Sequence, residues 1–296
     1  MNLERLKLNL RRKGFQVQTL DNRDYVGDRD RYSLHARAHD LVQQVKYGFY
    51  NTVNPHSPSI NPLFSFITNE LLHRDMDIVQ RENDRNLVSL DKDSRLVFLL
   101  NGLTLDGRIF SRLRRQLEQE GIKTLALEYD DRAPFKEYCL ETGDKIKSLT
   151  KSIPCQATAY LGHSTGADIL RYLALTSEKR DVLLDSPLLL AAPCTNGKRQ
   201  DLKDKLILGN KEDYCNFALR ESHETIQLLQ KKVKNALTLA CSRDRFVPLA
   251  SAIDTQGLNL IIGNYGHLAM TGCNIRFNQL YIEVINSLFE EKNDKK

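Results

Sequence analysis

The chain has 296 residues, 41% apolar and 27% charged, the balance of a globular protein, which excludes a disordered or fibrous chain. Its formal net charge of +5 is spread among interspersed acidic and basic residues rather than gathered into a long run, so no nucleic-acid partner is expected. No apolar run approaches the ~20 residues that cross a bilayer, and no secretory leader pattern opens the chain, so a cytoplasmic protein is expected.

Residues 1–85 are polar and rich in Arg and Asn, and they read as an N-terminal helical extension ahead of a domain spanning 86–296. The basic start, Arg5 to Lys13, reads first as a solvated helix face and second as a peripheral contact for an acidic membrane surface. Leu34, Ala38, Leu41, Val42, Val45 and Phe49 recur at helical spacing, as do Phe64, Ile67, Leu71 and Leu72; such stripes predict helices packed on the main domain. His35 and His39 stand four apart, but without further ligands they predict no metal site.

From about residue 86 the pattern becomes short β-rich runs alternating with helical stretches. Strands are predicted at 85–90, 95–101, 123–129, 157–162, 187–192, 236–241 and 258–262, with helices at about 107–120, 135–150, 166–177, 248–255 and 272–290. This alternation predicts an α/β chain: a mostly parallel, doubly wound sheet with helices on both faces. Residues 195–233 are long, charged and helical in pattern where a simple crossover would suffice. They read as a lid insertion, with Leu206, Ile207, Leu208, Phe217, Leu219, Ile226, Leu228 and Leu229 as its entrance or its own core. The six cysteines are widely spaced and mostly apolar in context, which suits packed thiols in a reducing compartment.

The sharpest local signal is AYLGHSTGAD at 159–168, where an apolar strand enters Gly162-His163-Ser164-Thr165-Gly166 and then a helical segment. In G-x-S-x-G the serine occupies a tight strand-to-helix turn, and side chains at the glycine positions would collide with the neighbouring strand and helix. A serine nucleophile needs a histidine to take its proton and a carboxylate to hold that histidine's tautomer. Downstream, LTLACSRDRFVPLASA places Asp244 just past a β-like run, and LNLIIGNYGHLAM carries another strand into His267. Ser164, Asp244 and His267 are therefore the predicted nucleophile, carboxylate and base. His223, inside the lid segment, is the second choice of base.

With GHSTG, SRDRFVP, YGH and LLNGLTLDGRIFSRLRRQLEQEGIKTLALEY in place, residues 95 to about 290 resemble the α/β-hydrolase superfamily. They look most like its monoacylglycerol lipase, lysophospholipase and serine aminopeptidase-like branch. The resemblance implies an α/β-hydrolase fold and an oxyanion hole made by the backbone N–H groups of Leu103 and Thr165. The chain departs from the pattern at Asn101-Gly102, where the family usually shows His-Gly, and at Ala167. The expected chemistry is hydrolysis of a carboxylic ester through an acyl-serine, on a small-molecule acyl ester or lipid, with no metal or organic cofactor. A thioesterase or small peptidase would use the same three residues, and a non-catalytic binding scaffold of the same fold is the reading outside enzymology.

Overall fold

The computed structural model describes residues 3–19, 79–102, 107–129, 133–153, 155, 157–176, 186–194, 223–242, 244, 247, 249–254, 257–263, 265–272 and 274–294. The two apolar stripes of the N-terminal segment, His35 and His39, and residues 195–222 of the predicted lid lie outside these residues, as does Leu103.

The chain opens with helix α1 (Leu3–Arg12), whose first turn carries Glu4 and last turn Arg11 and Arg12, charges that suit the helix dipole at each end. Leu6 and Leu10, one turn apart, are its buried face. The helix stops at Gly14, with φ +80°, where Phe15 N–H donates to Leu10 O at 3.0 Å and Gly14 N–H to Arg11 O at 2.9 Å. This pair of bonds satisfies two terminal carbonyls. Strand β1 (Val17–Thr19) follows. Next described is helix α2 at 79–88, then β2 (Arg95–Leu100), a 3₁₀ turn (Gly107–Phe110), α3 (Ser111–Gln119) and β3 (Ile122–Leu127). Helix α4 (Phe135–Ser152), β4 (Ala157–His163), α5 (Thr165–Thr176) and β5 (Leu188–Ala191) lead to α6 (His223–Leu229). The chain ends with β6 (Ala236–Cys241), α7 (Leu249–Ala252), β7 (Leu258–Ile262), a second 3₁₀ turn (His267–Thr271) and α8 (Ile275–Asp294).

The seven strands lie in the order β1-β7-β6-β5-β4-β2-β3. All pairings are parallel except β1 against β7, which is antiparallel with Val17 opposite Ile262. The period-two pleat sends Val97 and Leu99 to one core and Leu96, Phe98 and Leu100 to the other. Burial on both sides is why these strands read as continuous apolar runs. Helices α1, α3 and α8 cover the first face, and α4, α5 and α6 the second. Phe98 and Tyr160, directly opposite across β2 and β4, stack at 5.0 Å, a cross-strand aromatic pair of the kind that pins register.

The predicted strand at 85–90 is corrected: residues 85–88 are the last turn of α2. The reason lies in what this helix covers. β3 is an edge strand, and Asn83 makes a two-way pairing with it, Asn83 Nδ2 donating to Ala126 O at 2.9 Å and Ala126 N–H to Asn83 Oδ1 at 3.1 Å. Asn86 Nδ2 donates to Thr124 O at 2.9 Å. Amide side chains thus occupy the backbone groups that a further strand would have taken, closing the edge. With Asn83 and Asn86 set between Val79 and Leu87, the apolar stripe of the helix is broken.

The boundary drawn at residue 85 also does not separate two bodies among the described residues. Leu6, Leu10, Phe15 and Val17 share a core with Val97, Leu239 and Phe277, and β1 is a strand of the sheet itself. Within the predicted lid, residues 223–229 form α6, and Leu229 is buried on the α5 face. Of its apolar residues, Leu228 and Leu229 are core rather than entrance.

Candidate active site

The chain runs outward from β2 to β3, then crosses back to place β4 on the other side of β2. The connections leaving the carboxyl ends of β2 and β4 therefore diverge, which opens a crevice at this switch point of an open α/β sheet. Gly102 follows β2 and Ser164 follows β4. A Cβ built on Gly102 would stand 3.1 Å from Ser164 Cβ, so the bare backbone of Gly102 lets the end of β2 lie against the serine.

Ser164 has φ +53°, a left-handed conformation that costs a non-glycine residue about 1–2 kcal/mol. Two sets of bonds hold it there. Ser164 N–H donates to Ala191 O at 2.8 Å, at the end of β5, and Ser164 O accepts from Ala167 N–H at 2.9 Å to start α5. The flanking glycines are demanded by proximity. A Cβ on Gly162 would lie 2.4 Å from Gly166 O, and one on Gly166 would lie 2.4 Å from Leu100 O. Strand, turn and helix can be this close only with hydrogen at both positions.

Asp244 and His267 arrive from the next two strand ends. Asp244 N–H donates to Cys241 O at 3.2 Å, turning the chain just past β6. Asp244 Oδ1 accepts from Val247 N–H at 2.8 Å and Oδ2 from His267 Nδ1 at 2.7 Å. Because a carboxylate only accepts, His267 Nδ1 carries the proton and Nε2 presents its lone pair. His267 sits at the start of the second 3₁₀ turn, after β7. Tyr265, two residues before it, packs edge-on against Phe277 of α8 at 5.2 Å. Ser164 and His267 keep 7% and 8% of their surface, enough for contact by a small reactant and little enough to limit solvation.

Of the oxyanion candidates, Thr165 is the first residue of α5 and fully buried, so its amide stands outside the helix's own i→i−4 ladder. Leu103 lies outside the described residues, but both flanks of its loop are held. Tyr129 Oη donates to Asn101 O at 2.9 Å, and Gly107 N–H donates to Glu128 Oε1 at 2.6 Å. The two residues that follow β3 thus grip the start and the end of the loop after β2. Both close the stretch LLNGLTLDGRIFSRLRRQLEQEGIKTLALEY, but nothing in its spacing assigns them this role. Asn101, where the family pattern has His, is buried and turns its Nδ2 onto Gly102 O at 3.2 Å. His223, the second choice of base, opens α6, and its side chain lies outside the described residues.

Sequence reading misses His163. It is wholly buried, with its ring 4.6 Å from that of His267 and its Nε2 3.3 Å from His267 O. Burial first, and the neighbouring His267 second, hold its pKa well below the ordinary histidine value. His163 is thus held neutral in the folded chain at pH values where the unfolded chain already takes up its proton. Its linkage leaves stability unaffected above the unfolded value of ~6.5 and removes up to ~1.4 kcal/mol per pH unit as the pH falls below it, until the folded-state value is reached. Urea unfolding at about pH 7.5 and about pH 5.5 should show a stability difference roughly 1 kcal/mol smaller in His163→Gln than in the natural chain.

No family model and no curated protein matches the sequence. Solved structures do. Est1E from Butyrivibrio proteoclasticus is 16% identical, with a TM-score of 0.51 over 69% of this chain and 90% of its own. Est1E with ferulic acid bound gives the same identity and score over 68% and 90%. DcsB in complex with its substrate analogue is 12% identical, with a TM-score of 0.50 over 67% of this chain and 92% of its own. With a mostly parallel sheet in this strand order and a left-handed serine at the turn after β4, the chain has the α/β-hydrolase fold.

Proposed function

We propose that the protein is a serine hydrolase that cleaves a carboxylic ester through an acyl-serine intermediate, with Ser164 as nucleophile, His267 as general base and Asp244 as the carboxylate that orients it. The observation that carries this reading is the 2.7 Å bond from His267 Nδ1 to Asp244, which leaves the opposite ring nitrogen able to accept a proton, while the ring of His163, the residue before Ser164, lies 4.6 Å from that of His267. In the proposed reaction Ser164 Oγ attacks the acyl carbon as its proton passes to His267 Nε2. Asp244 stabilises the imidazolium, and the amides of Thr165 and Leu103 receive the developing oxyanion. His267 then protonates the leaving alcohol and activates the water that releases the acid. The substrate is a small-molecule acyl ester or lipid, in keeping with the resemblance to the monoacylglycerol lipase and lysophospholipase branch. Est1E, of the same fold, binds a carboxylic acid, ferulic acid, the class of product that ester cleavage releases.

Labelling with a broad fluorophosphonate tests the reading. The natural chain is expected to carry the adduct on Ser164, located by peptide mass, with labelling abolished in Ser164→Ala and slowed by at least ~100-fold in His267→Ala. A folded natural chain that stays unlabelled would overturn it in favour of a binding scaffold. With labelling in hand, turnover of p-nitrophenyl esters against the matching thioesters and anilides separates an esterase from a thioesterase or peptidase.

A further inference from the structure

A histidine at the end of an inner strand is an expensive way to fill a core. His163 closes β4 and is wholly buried, at a strand position where an apolar residue would pack without polar cost. Its Nε2 faces the main-chain oxygen of His267 at 3.3 Å, and since a carbonyl only accepts, Nε2 carries the proton and donates. Nδ1 is then the unprotonated nitrogen, and it has no hydrogen-bond partner among the described residues. It faces Gly102, where a built Cβ would stand 3.2 Å away. Leaving a buried acceptor unpaired costs stability. Meanwhile the ring lies 4.6 Å from that of His267, tilted by 51°. One imidazole thus touches the residue bearing the proposed base twice, at its carbonyl and at its ring, while being covalently joined to Ser164.

We propose that His163 is a positioning residue for His267: its Nε2–H holds the His267 main chain and its ring holds the His267 imidazole, so that the base keeps its aim at Ser164. The inference rests on the hydrolase reading above. The bond from His267 Nδ1 to Asp244 holds one edge of the ring. A second ring packed on it at a tilt, anchored to the same residue's backbone and to the strand that carries the serine, adds a restraint from another direction. Misplacing a proton acceptor by about 1 Å costs on the order of 100-fold in rate.

The test compares His163→Leu, which fills the space without a donor, with His163→Gln, whose amide nitrogen lies the same number of bonds from the backbone as imidazole Nε2. Hydrolysis of p-nitrophenyl butyrate is followed per active molecule, counted by the end-point of fluorophosphonate labelling at Ser164. The Leu variant is expected to lose about 10- to 100-fold in kcat with KM changed less than ~2-fold, and the Gln variant to recover to within ~5-fold of the natural chain. Equal kcat per labelled molecule in the Leu variant, or a Gln variant as slow as Leu, would overturn the proposal. Should Leu fail to fold, imidazole ¹⁵N spectra of the natural chain decide it: His163 must appear as the Nε2–H tautomer, and the Nδ1–H tautomer would sink the donated bond. An absence of labelling in the natural chain indicts the hydrolase reading instead, and that result is separate from either outcome for His163.

Discussion

Replacing Asp244 by Asn should lower kcat for ester hydrolysis by about four orders of magnitude in a protein that remains folded, because the change leaves shape intact and reverses the tautomer of the base. Asp244 has two acceptor oxygens in use, one on Val247 N–H at 2.8 Å and one on His267 Nδ1 at 2.7 Å. An asparagine has one acceptor and one donor. Val247 offers only a donor, so the amide oxygen must face it, which turns the NH₂ group toward His267 Nδ1. That nitrogen must then accept, so the imidazole proton moves to Nε2, the atom that has to take the proton of Ser164. Flipping the amide to rescue His267 would set NH₂ against the Val247 N–H, at the cost of an unmade hydrogen bond and a donor-donor clash. Steady-state kinetics with a p-nitrophenyl ester, alongside thermal unfolding to confirm an intact fold, checks this. A loss of less than ~10-fold would mean that Asp244 does not govern the tautomer of the working base.

The elbow is legible in sequence because its geometry is set by local collisions. Gly162 and Gly166 are required by atoms only a few residues away or on the adjoining strand, so a five-residue pattern carries the whole constraint. The inner strands are equally legible. β2, β4 and β6 bury every or nearly every residue, and such runs bounded by turns have few other uses. What escapes is polar and non-local. β1 is three residues long in a hydrophilic segment, and it exists because β7 offers an open edge more than two hundred residues away. The end of α2 reads as a strand because Asn83 and Asn86 interrupt its inward face between Val79 and Leu87. The supports of the site are hidden for the same reason: Tyr129, Glu128 and His163 reach it through hydrogen bonds to backbone atoms, which no spacing rule encodes. For His163 one signal is available, a titratable residue ending a strand otherwise wholly apolar or small.

The placement of β1 bears on the site. It pairs with β7, the strand that leads into the loop bearing His267, and Gly263 N–H continues the ladder by donating to Gln16 O at 2.8 Å. A Cβ on Gly263 would meet Gln16 Oε1 at 2.8 Å, so the two chains are in close contact where the loop begins. Phe15, with the Arg276 guanidinium over its ring, packs toward Tyr265. Residues 3–19 therefore brace the loop that carries the proposed base, on the sheet edge opposite the one that α2 covers.

On the other side of the sheet, Arg171 is expected to be the most costly polar residue to remove. It sits on α5, the helix that begins just after Ser164, and is 0% exposed, paired with Asp254 at 1%. Its guanidinium makes three directed contacts: Nη1 to Asp254 Oδ2 at 3.1 Å, Nη2 to Lys231 O at 2.7 Å, and Nε to Leu229 O. The last two are carbonyls at the end of α6, and Asp254 follows α7, so one side chain ties together the elbow helix, the end of the predicted lid segment and the chain beyond the Asp244 loop. Breaking a buried pair by removing one member costs about 3–5 kcal/mol, since the remaining charge stays in a medium that solvates it poorly. Arg171→Leu should therefore lower the unfolding midpoint by on the order of 10 °C in a chain of this length. Arg171→Lys should recover less than half of that loss, because an ammonium on a flexible stem keeps the charge but not the planar fork that reaches two carbonyls and a carboxylate at once. Adding Asp254→Asn to Arg171→Leu separates the two costs. If the stranded carboxylate accounts for most of the loss, the double variant will be more stable than Arg171→Leu alone; if the carbonyl contacts dominate, the second substitution will bring no recovery.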